Sequence, residues 1–564
     1  MTAILGLNAF HGDAAAALVV DGELVAAAEE ERFNRIKHCA GFPAEAARWC
    51  LADAGIDPAD VNHVAVSRDP RANLRPKLLR AARTSPRYLK ARLEHAARIR
   101  DVRGELEGAL GAPVRAGLHS VEHHQAHVAS AFFVSPFEEA AILSIDGFGD
   151  FASTMLAAGR GNQFEVLDRV LFPHSLGIFY TAVTQWLGFP KYGDEGKVMG
   201  LAPYGDPERH LARMRELVRL DGLFELGLDY FMHTRKGVEL TWAEGTPTIG
   251  RLYSERLVRA LGEPRQDEDV AAALQVVLEE AYLHLVRALR RRTGLPNICL
   301  AGGVALNAVA NGRVRLEAGF DGLFVQPAAG DSGTAIGAAY WVWNHHLGGA
   351  RDFVMEHAYT GPEYSNQECA EAVRAAGLAA RQLSDGELFP EVARRIAAGE
   401  VVGWFQGRME FGPRALGNRS ILADPRRAEM KDVLNARVKH RESFRPFAPS
   451  ILAEATGEWF EQDYPSPFMV LVYKTLPDKR ELIPAVNHVD DTGRLQTVEE
   501  RVAPRYHRLI TEFGRLTGVP VVLNTSFNDD EPIVLTPTQG VDTFTKTRMD
   551  TLVLGNVIVT NPSP

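Results

Sequence analysis

The sequence has few cysteines and no long apolar run. Its 564 residues contain four cysteines, which are scattered along the chain and form no CxxC pair. This spacing argues against a disulfide framework or a thiolate zinc site, and it is typical of a protein from the reducing cytoplasm. No stretch of 18 or more apolar residues occurs, so we expect no membrane-spanning helix. The opening stretch MTAILGLNAFHGD has no basic segment, and we expect no signal peptide there.

An excess of positive charge is also missing. The formal net charge is -10, so we expect neither nucleic acid nor an anionic membrane among the partners. The composition, with 46% hydrophobic and 24% charged residues, is that of a globular protein of two to four domains. No GxxxxGK[ST] motif is present, and any ATP is therefore bound without a P-loop.

A pattern of three strands with an acidic turn after the first strand occurs twice. The predicted strands are Ala3–Asn8, Ala15–Val20 and Glu23–Ala28 in one copy, and Ala140–Ile145, Ser153–Ala158 and Phe164–Val170 in the other. The acidic turns are Ala9–Asp13 and Asp146–Asp150, and Asp21-Gly22 makes a two-residue hairpin turn. The repetition predicts an internally duplicated α/β domain, with helices that include Ser120–Phe133 and Asp267–Arg292.

The periodic pattern is lost between residues 348 and 363, where Gly-Gly and Gly-Pro pairs occur. We therefore predict one domain over residues 1–350 and a second over residues 363–564. Within the first, residues 297–315 form a further strand-turn-helix unit. Its glycine pair, Gly302 and Gly303, would let the backbone approach a ligand closely.

Two histidines and two aspartates are candidates for a metal site. His123 and His127 are four residues apart and share one face of the predicted helix. An isolated pair of this kind more often consists of surface or core histidines that bind no metal. Asp146 follows a strand directly, however, and Asp331 lies in a glycine-containing loop. Two imidazoles and two carboxylates suit iron(II), manganese or zinc.

The letters GDSG at residues 330–333 also occur around the nucleophile of chymotrypsin-like proteases. That fold is an all-β barrel, whereas strands alternate with helices here, so we reject a protease.

Residues 401–450 are basic, with ten Lys or Arg against five Asp or Glu. A solvated charged face is one interpretation of this excess. The arginines of segments 407–420 and 439–446 nevertheless alternate with Gly, Pro and Phe and follow no helical stripe. Guanidinium groups on rigid loops are suited to bind phosphate groups. The apolar strand 521–528 would deliver amide and hydroxyl donors at its end.

Ten segments in order resemble one known family. They are GLNAFHGDAA, EEERFNRIKH, HHQAHVASAFF, SIDGFGD, DEGKVMGLAPYG, AGGVALN, GDSGTAIGAA, GRMEFGPRALGNRSIL, RESFRPFAPS and LNTSFN. The family is that of the O-carbamoyltransferases typified by nodulation protein U and by the cephem and tobramycin carbamoyltransferases. The resemblance covers nearly the whole chain, and GRMEFGPRALGNRS is its most specific segment.

The resemblance implies a fold and a reaction. The N-terminal domain would be a duplicated actin-like (RNase H-like) domain, and the C-terminal domain would be YrdC-like. The C-terminal domain would form carbamoyl adenylate from carbamoyl phosphate and ATP, used with Mg²⁺. The N-terminal domain would then transfer the carbamoyl group to a hydroxyl of a small molecule, such as a sugar, an antibiotic or another secondary metabolite. A cytoplasmic location and, in some relatives, a homodimer are also implied.

The resemblance also assigns residues. His11 corresponds to the general base, and the metal ligands fall on His123, His127, Asp146 and Asp331, usually with iron(II). Contacts to carbamoyl phosphate and ATP fall on Arg414, Lys439, Arg445, Arg494, Asn524 and Ser526. Arg414 and Arg445 would act in catalysis, and Gly302, Gly303 and Asn307 would contribute to cofactor binding.

Two alternative functions stay open at this point. One is transfer of threonylcarbamoyl to tRNA, which the acidic net charge disfavours. The other is a non-catalytic ATP-binding regulator, which the retained arginines disfavour.

Overall fold

The structure is a computed structural model that describes residues 1–81, 101–236, 240–241, 245–262 and 266–561. The chain divides into two compact units, Met1–Met355 (unit 1) and Glu356–Pro564 (unit 2). The division falls inside the aperiodic segment 348–363. Among the described residues, no helix is both long enough and apolar enough to cross a bilayer.

The first sheet of unit 1 has the strand order β3-β2-β1-β4-β5. Its strands are β1 Ala3–Asn8, β2 Ala15–Val20, β3 Glu23–Glu29, β4 His63–Val66 and β5 Gly117–Ser120. The first three strands form an antiparallel meander, and β4 and β5 pair in parallel beside β1. The alanine- and valine-rich strands are almost fully buried, as expected when helices cover a sheet.

The second sheet of unit 1 repeats this topology, with the order β14-β13-β6-β7-β8. Its strands are β6 Glu139–Gly149, β7 Ala152–Arg160, β8 Gln163–Leu171, β13 Asn297–Ala301 and β14 Gly322–Val325. Strands β6 to β8 form an antiparallel meander, and β13 and β14 add in parallel beside β6. The duplication predicted from the sequence is thus confirmed.

Helices and two small hairpins complete the described part of unit 1. The hairpin strands are β9 Val218–Arg219 with β10 Glu225–Leu226, and β11 Leu240–Thr241 with β12 Thr248–Ile249. The helices are Glu31–Asn34, Ala44–Asp53, Leu74–Ala81, Val102–Leu110, His123–Phe132, Leu176–Trp186, Glu195–Leu201, Glu208–Arg215, His233–Lys236, Glu255–Leu261, Asp267–Thr293, Ala308–Glu317 and Gly333–Tyr340, with a π-helical segment Trp341–His346. Short 3₁₀ turns are Pro58–Asp60, Ala202–Tyr204, Leu228–Tyr230 and Gly303–Leu306.

Two predicted boundaries were wrong. The helix expected from Ser120 begins at His123, because the Glu122 side chain accepts the Gln125 N–H and caps the helix. Ser120 belongs to β5. The turn expected at Asp146–Asp150 is an extension of strand β6 as far as Gly149, with an irregular register between Ile145 and Gly149.

The described part of unit 2 is built on a nine-stranded mixed sheet with the order β15-β23-β22-β16-β17-β21-β18-β20-β19. The strands are β15 Ala380–Gln382, β16 Val402–Phe405, β17 Arg419–Ala423, β18 Ala448–Leu452, β19 Leu471–Lys474, β20 Thr492–Val498, β21 Val521–Ser526, β22 Thr551–Leu554 and β23 Val557–Thr560. Helices are Asn366–Ala375, Asp385–Ala397, Met430–Val433 continued by a π-helical segment Leu434–Lys439, Thr456–Trp459, Pro504–Thr517 and Pro537–Thr547; short 3₁₀ turns are Ala453–Ala455 and Arg480–Leu482.

Candidate active site

The four metal-ligand candidates of unit 1 converge on one point. A ligand atom of each of His123, His127, Asp146 and Asp331 lies within 4.8 Å of the others. The Nε2 atoms of the two histidines are 3.1 Å apart, and Asp146 Oδ2 lies 3.1 Å from His123 Nε2 and 3.3 Å from His127 Nε2. Asp331 Oδ1 lies 3.4 Å from His123 Nε2, is buried, and has no hydrogen-bond partner. A buried orphan carboxylate oxygen facing two imidazoles fits a divalent cation held by nitrogen and oxygen donors.

The internal repeat brings these side chains together. Helix His123–Phe132 follows β5 in the first repeat, and helix Gly333–Tyr340 follows β14 at the same place in the second. The two helices pack closely, since a Cβ on Gly337 would lie 1.8 Å from the Ala126 carbonyl oxygen. The first helix supplies both histidines, and Asp331 immediately precedes the second. Asp146 comes from β6. The cluster therefore lies at the junction of the two repeats.

Glycines leave the room that this cluster needs. A Cβ on Gly149 would lie 1.9 Å from the His123 ring, so any side chain there would displace the imidazole. The Gly303 N–H donates to Asp146 Oδ1 at 3.1 Å, which leaves Oδ2 for the histidines. Gly302 has a φ of +89°, and a Cβ there would lie 2.2 Å from the Ile145 carbonyl oxygen. The glycine pair thus packs against the strand that carries Asp146.

Burial and mutual contacts shift the pKa values of the side chains in this cluster. Burial favours the neutral acid of Asp146, but hydrogen bonding to His123 and His127 holds the pKa of this carboxyl well below its usual range. Burial lowers the pKa of His123. Burial alone would lower the pKa of His127 as well, yet its hydrogen bond to Asp146 and the nearby carboxylate of Asp331 raise it to about 9. Two anionic carboxylates in a buried site are suited to bind a positively charged ion.

His11 lies beside this cluster. It follows β1 in the loop 9–13, and its Nδ1 is hydrogen-bonded to Asp331 Oδ2. Its ring centroid is 5.2 Å from that of His123. His11 is only partly buried, with 12% of its side chain exposed against 4% for Asp331. The residue predicted as base is therefore next to the predicted ligands, on the more open side.

Asn307 has both side-chain groups engaged by the protein. Its Oδ1 accepts the Ala310 N–H and caps helix Ala308–Glu317, and its amide exchanges hydrogen bonds with Gln275. In this structure, Asn307 thus orders the turn that follows Gly302 and Gly303.

Four arginines of unit 2 lie close together. Burial and the positive charge of Arg445 lower the pKa of Arg414 to about 10 and that of Arg441 to about 9. Burial lowers the pKa of Arg494 well below its usual value, and Arg414, Arg441 and Arg445 add to the effect. All four are partly exposed. In the described part of the chain, neither Arg414 nor Arg494 has a carboxylate partner, and Arg494 Nε is buried without any acceptor.

The loop that carries Arg414 is held by two other residues of its motif. Glu410 is buried, and its Oε1 accepts the backbone N–H groups of Leu416, Asn418 and Arg419. The fully buried Arg419 donates to four backbone carbonyls and stacks on the Phe405 ring. Both residues therefore fix the backbone of the loop that carries Arg414.

Strand β21 carries Asn524 and Ser526, and Lys439 binds the end of this strand. The Lys439 ammonium donates to the carbonyl and side-chain oxygens of Ser526 and Asn528, at 2.5 to 3.3 Å. The Asn524 amide donates to the Ala415 carbonyl, to Ser450 and to Gln496. The Asn524 Oδ1 atom is buried and has no partner. Lys439 therefore fixes the end of β21, and Asn524 fixes the backbone next to Arg414.

Sequence reasoning missed three of these residues. Arg441 lies in the quoted segment RESFRPFAPS but was not singled out; its Nε donates to Asn435 Oδ1 and its guanidinium stacks on Phe447. Glu410 gave no signal, because a single acid in a basic segment resembles an ordinary surface charge. Gly149 could have been found from the repeated glycine-rich turn SIDGFGD.

Both units match known family models. The model for the carbamoyltransferase N-terminus matches residues 3–340, and the model for the carbamoyltransferase C-terminus matches residues 393–561.

Relatives match over nearly the whole chain. The uncharacterized protein sll1178 of Synechocystis is 41% identical, with 99% of this chain and 97% of that protein covered. Nodulation protein NolNO of Sinorhizobium fredii is 40% identical, with 98% of this chain and 79% of that protein covered. Among solved structures, full-length HypF in its phosphate- and nucleotide-bound form is 13% identical, covers 62% of this chain and 56% of its own, and has a TM-score of 0.35. By its two family matches and its relatives, this chain belongs to the carbamoyltransferase family and is a transferase.

Proposed function

We propose that the chain is an ATP-dependent O-carbamoyltransferase whose two half-reactions are divided between its units. Unit 2 hydrolyses carbamoyl phosphate to carbamate and phosphate. A carbamate oxygen then attacks the α-phosphorus of MgATP, which gives carbamoyl adenylate and releases pyrophosphate. Unit 1 transfers the carbamoyl group to a hydroxyl of a small molecule. The observation that carries the proposal is the cluster of partly exposed arginines in a member of this family: Arg414, Arg441, Arg445 and Arg494.

Arg445 is paired with Glu442 at 3.6 Å, but Arg414 and Arg494 have no carboxylate partner among the described residues, which is costly in the free protein. Each unpaired guanidinium loses hydration, and each repels its neighbours. Phosphate groups would offset both costs, since guanidinium groups bind phosphate oxygens through charge-assisted, often bidentate hydrogen bonds. The rigid support of the Arg414 loop by Glu410 and Asn524 would keep this site ordered before the ligand arrives.

In unit 1, the hydrogen bond to Asp331 would orient His11 as the base. When Nδ1 carries the proton shared with the carboxylate, Nε2 keeps its lone pair for the proton of the acceptor hydroxyl. A divalent ion bound by the four ligands would supply positive charge beside the leaving phosphate. We assign iron(II) to this position, with manganese and zinc as alternatives of the same donor preference.

The proposal also includes the fold family of each unit. Two sheets of identical topology joined by equivalent helices support an actin-like unit 1. Unit 2 is assigned as YrdC-like on its sequence resemblance. All four cysteines are buried thiols outside any disulfide, in agreement with the cytoplasmic location that the resemblance implies.

The test separates the half-reactions. Purified protein with ATP and carbamoyl phosphate but no acceptor should release pyrophosphate slowly. A panel of sugars, aminoglycosides, macrolides and cephems, read by mass spectrometry, should show one product heavier by a carbamoyl group. Pyrophosphate release only with threonine and bicarbonate would instead assign the chain to tRNA modification. No turnover with any donor would favour a regulator.

A further inference from the structure

A separate segment of unit 1 is bonded along the loop that carries His11. The Phe10 N–H donates to the Gly41 carbonyl at 2.7 Å, and the Ala14 N–H donates to the Cys39 carbonyl at 2.8 Å. Between these bonds, His11 and Gly41 form an antiparallel bridge. The segment 38–41, which starts at the last residue of the motif EEERFNRIKH, therefore supports the loop 10–14 from one side.

One side-chain pair joins the two segments. His38 Nδ1 lies 2.8 Å from Asp13 Oδ1. The backbone N–H of His38 donates to Glu31 Oε2 at 2.6 Å, and Arg32 binds Glu31 at 2.8 Å. Glu31 and Arg32 are both buried. His38 is therefore fixed at its backbone by a buried ion pair and reaches the loop with its ring.

The loop has an unfavourable backbone that its surroundings must maintain. Phe10, Asp13 and His38 have φ values of +60°, +54° and +56°, in the left-handed region that side chains disfavour. Such residues persist when neighbouring contacts over-determine them, and they concentrate at functional sites. Gly12 lies between them, beneath the ring of Tyr192; a Cβ on Gly12 would lie 2.7 Å from the Tyr192 hydroxyl.

The pair lies outside the ion cluster. Side-chain exposure rises from 4% at Asp331 through 12% at His11 to 23% at Asp13 and 26% at His38. Neither Asp13 nor His38 is hydrogen-bonded to any of the four metal-ligand candidates. An effect of the pair on chemistry would therefore pass through the loop and through His11.

We propose that Asp13 and His38 are positioning residues, whose bond holds the loop 10–14 so that His11 stays paired with Asp331. The inference rests on the proposed function of His11 as base. It adds a role for the motif EEERFNRIKH, to which no part of the reaction was assigned.

The test compares two substitutions at His38. Asparagine and aspartate are nearly isosteric, and both tolerate a positive φ better than most residues. His38→Asn keeps a donor near the position of Nδ1, whereas His38→Asp places a second carboxylate opposite Asp13. We expect the kcat of carbamoyl transfer to fall about 10- to 100-fold in His38→Asp and about threefold in His38→Asn. The KM for ATP and for carbamoyl phosphate should not move, because unit 2 is unchanged.

The pH profile distinguishes positioning from direct proton transfer. In His38→Asp, the transfer rate should fall by a similar factor at every pH, so that the shape of the pH profile matches that of the wild type. A change in the shape of the profile would show that His38 itself takes the proton and would overturn the inference. Equal rates in His38→Asp and the wild type would overturn it as well.

Amide hydrogen exchange provides a readout that needs no acceptor. Exchange in a peptide covering residues 10–14 should be faster in His38→Asp than in His38→Asn, and a peptide covering residues 123–132 should serve as the unchanged reference. Unchanged exchange at residues 10–14 contradicts the inference whatever the enzyme does. Absence of transfer in the wild type, with exchange changed as expected, contradicts the proposed function alone. Asp13→Asn, which alters the same bond from the other side, replaces any His38 variant that does not fold.

Discussion

Asp331 uses its two carboxylate oxygens differently: Oδ2 is hydrogen-bonded to His11, while Oδ1 faces the ring of His123 at 3.4 Å. One side chain thus connects the candidate base with the candidate ion site. A change at Asp331 should disturb both, whereas a change at His127 removes a candidate ligand and leaves the bond between His11 and Asp331 in place.

Substitution of His127 should separate the two half-reactions. In His127→Ala we expect bound divalent ion, measured by elemental mass spectrometry, to fall from about one per chain by roughly tenfold or more, because one of four ligands is lost. Carbamoyl transfer should fall with it, and pyrophosphate release should persist. His124→Ala is the control, since His124 lies on the same helix, is equally buried, and is bonded to Ser144 instead of to the four ligand candidates. Equal loss of both half-reactions in His127→Ala would refute the division between units.

Removal of Arg414 should weaken the phosphate site and leave the fold intact. A lost charge-assisted contact costs about 1.5–3 kcal/mol, which is roughly a 10- to 150-fold rise in the Kd for carbamoyl phosphate. Calorimetric titration of Arg414→Ala measures this directly. Arg508→Ala serves as the control, because Arg508 is exposed and paired with Glu512. Normal adenylate formation by a soluble Arg414→Ala protein would exclude the role.

The cluster of Arg414, Arg441, Arg445 and Arg494 should also lower the free energy of unfolding when no ligand is present. Arg494→Met removes a cation that is surrounded by protein and close to three other cations. We expect the unliganded variant to be about 1–2 kcal/mol more stable than the wild type in chemical denaturation. Inorganic phosphate should stabilise the wild type more than the variant, by mass action. A less stable unliganded variant would show that Arg494 supports the fold.

The pair between Asp13 and His38 should make stability depend on pH. Burial of His38 alone would lower the pKa of its ring, but Asp13 and Glu31 outweigh burial and Lys37 and raise it to about 9. Because the folded pKa lies above the unfolded value near 6.5, the pair stabilises the fold below pH 6.5, and this contribution is lost as the pH rises through 9.

The contribution should amount to at most about 3 kcal/mol, given the partial exposure of both side chains. Urea unfolding at pH 6 and pH 9.5 measures it as the difference between the wild type and His38→Asn. Glu195 and Tyr192 also lie near His38 and are present in both proteins. The same pH dependence in both proteins would contradict this assignment.

The sequence allowed the repeat and the ion cluster to be predicted because both depend on local patterns. Alternating strands, an Asp-Gly hairpin and an i,i+4 histidine pair are patterns of residues close together in the sequence. Parallel strands then bring their carboxyl ends to the same edge of the sheet. The place of Arg441 could not be predicted in this way. It depends on a hydrogen bond to Asn435, a ring contact with Phe447 and the nearness of Arg494 from strand β20. Contacts between residues distant in the sequence depend on the order of strands in the sheet, which no local pattern specifies.

The roles of Glu410 and Arg419 within GRMEFGPRALGNRS could not be predicted from the sequence either. In the structure both side chains bind the backbone of the loop that carries Arg414. A residue type suited to phosphate is equally suited to carbonyl oxygens, and only burial and partners separate the two uses.

The ion site takes its histidines from one repeat of unit 1 and its aspartates from the other. Two identical copies related by a two-fold axis would offer a central ion the same residue types from each side, not His-His against Asp-Asp. This ligand set is therefore a product of divergence after duplication, and the amide Asn8, at the end of the first strand where the second repeat has Asp146, is one trace of that divergence. A chain carrying only one repeat would supply two of the four candidate ligands, so the proposed ion site needs both repeats.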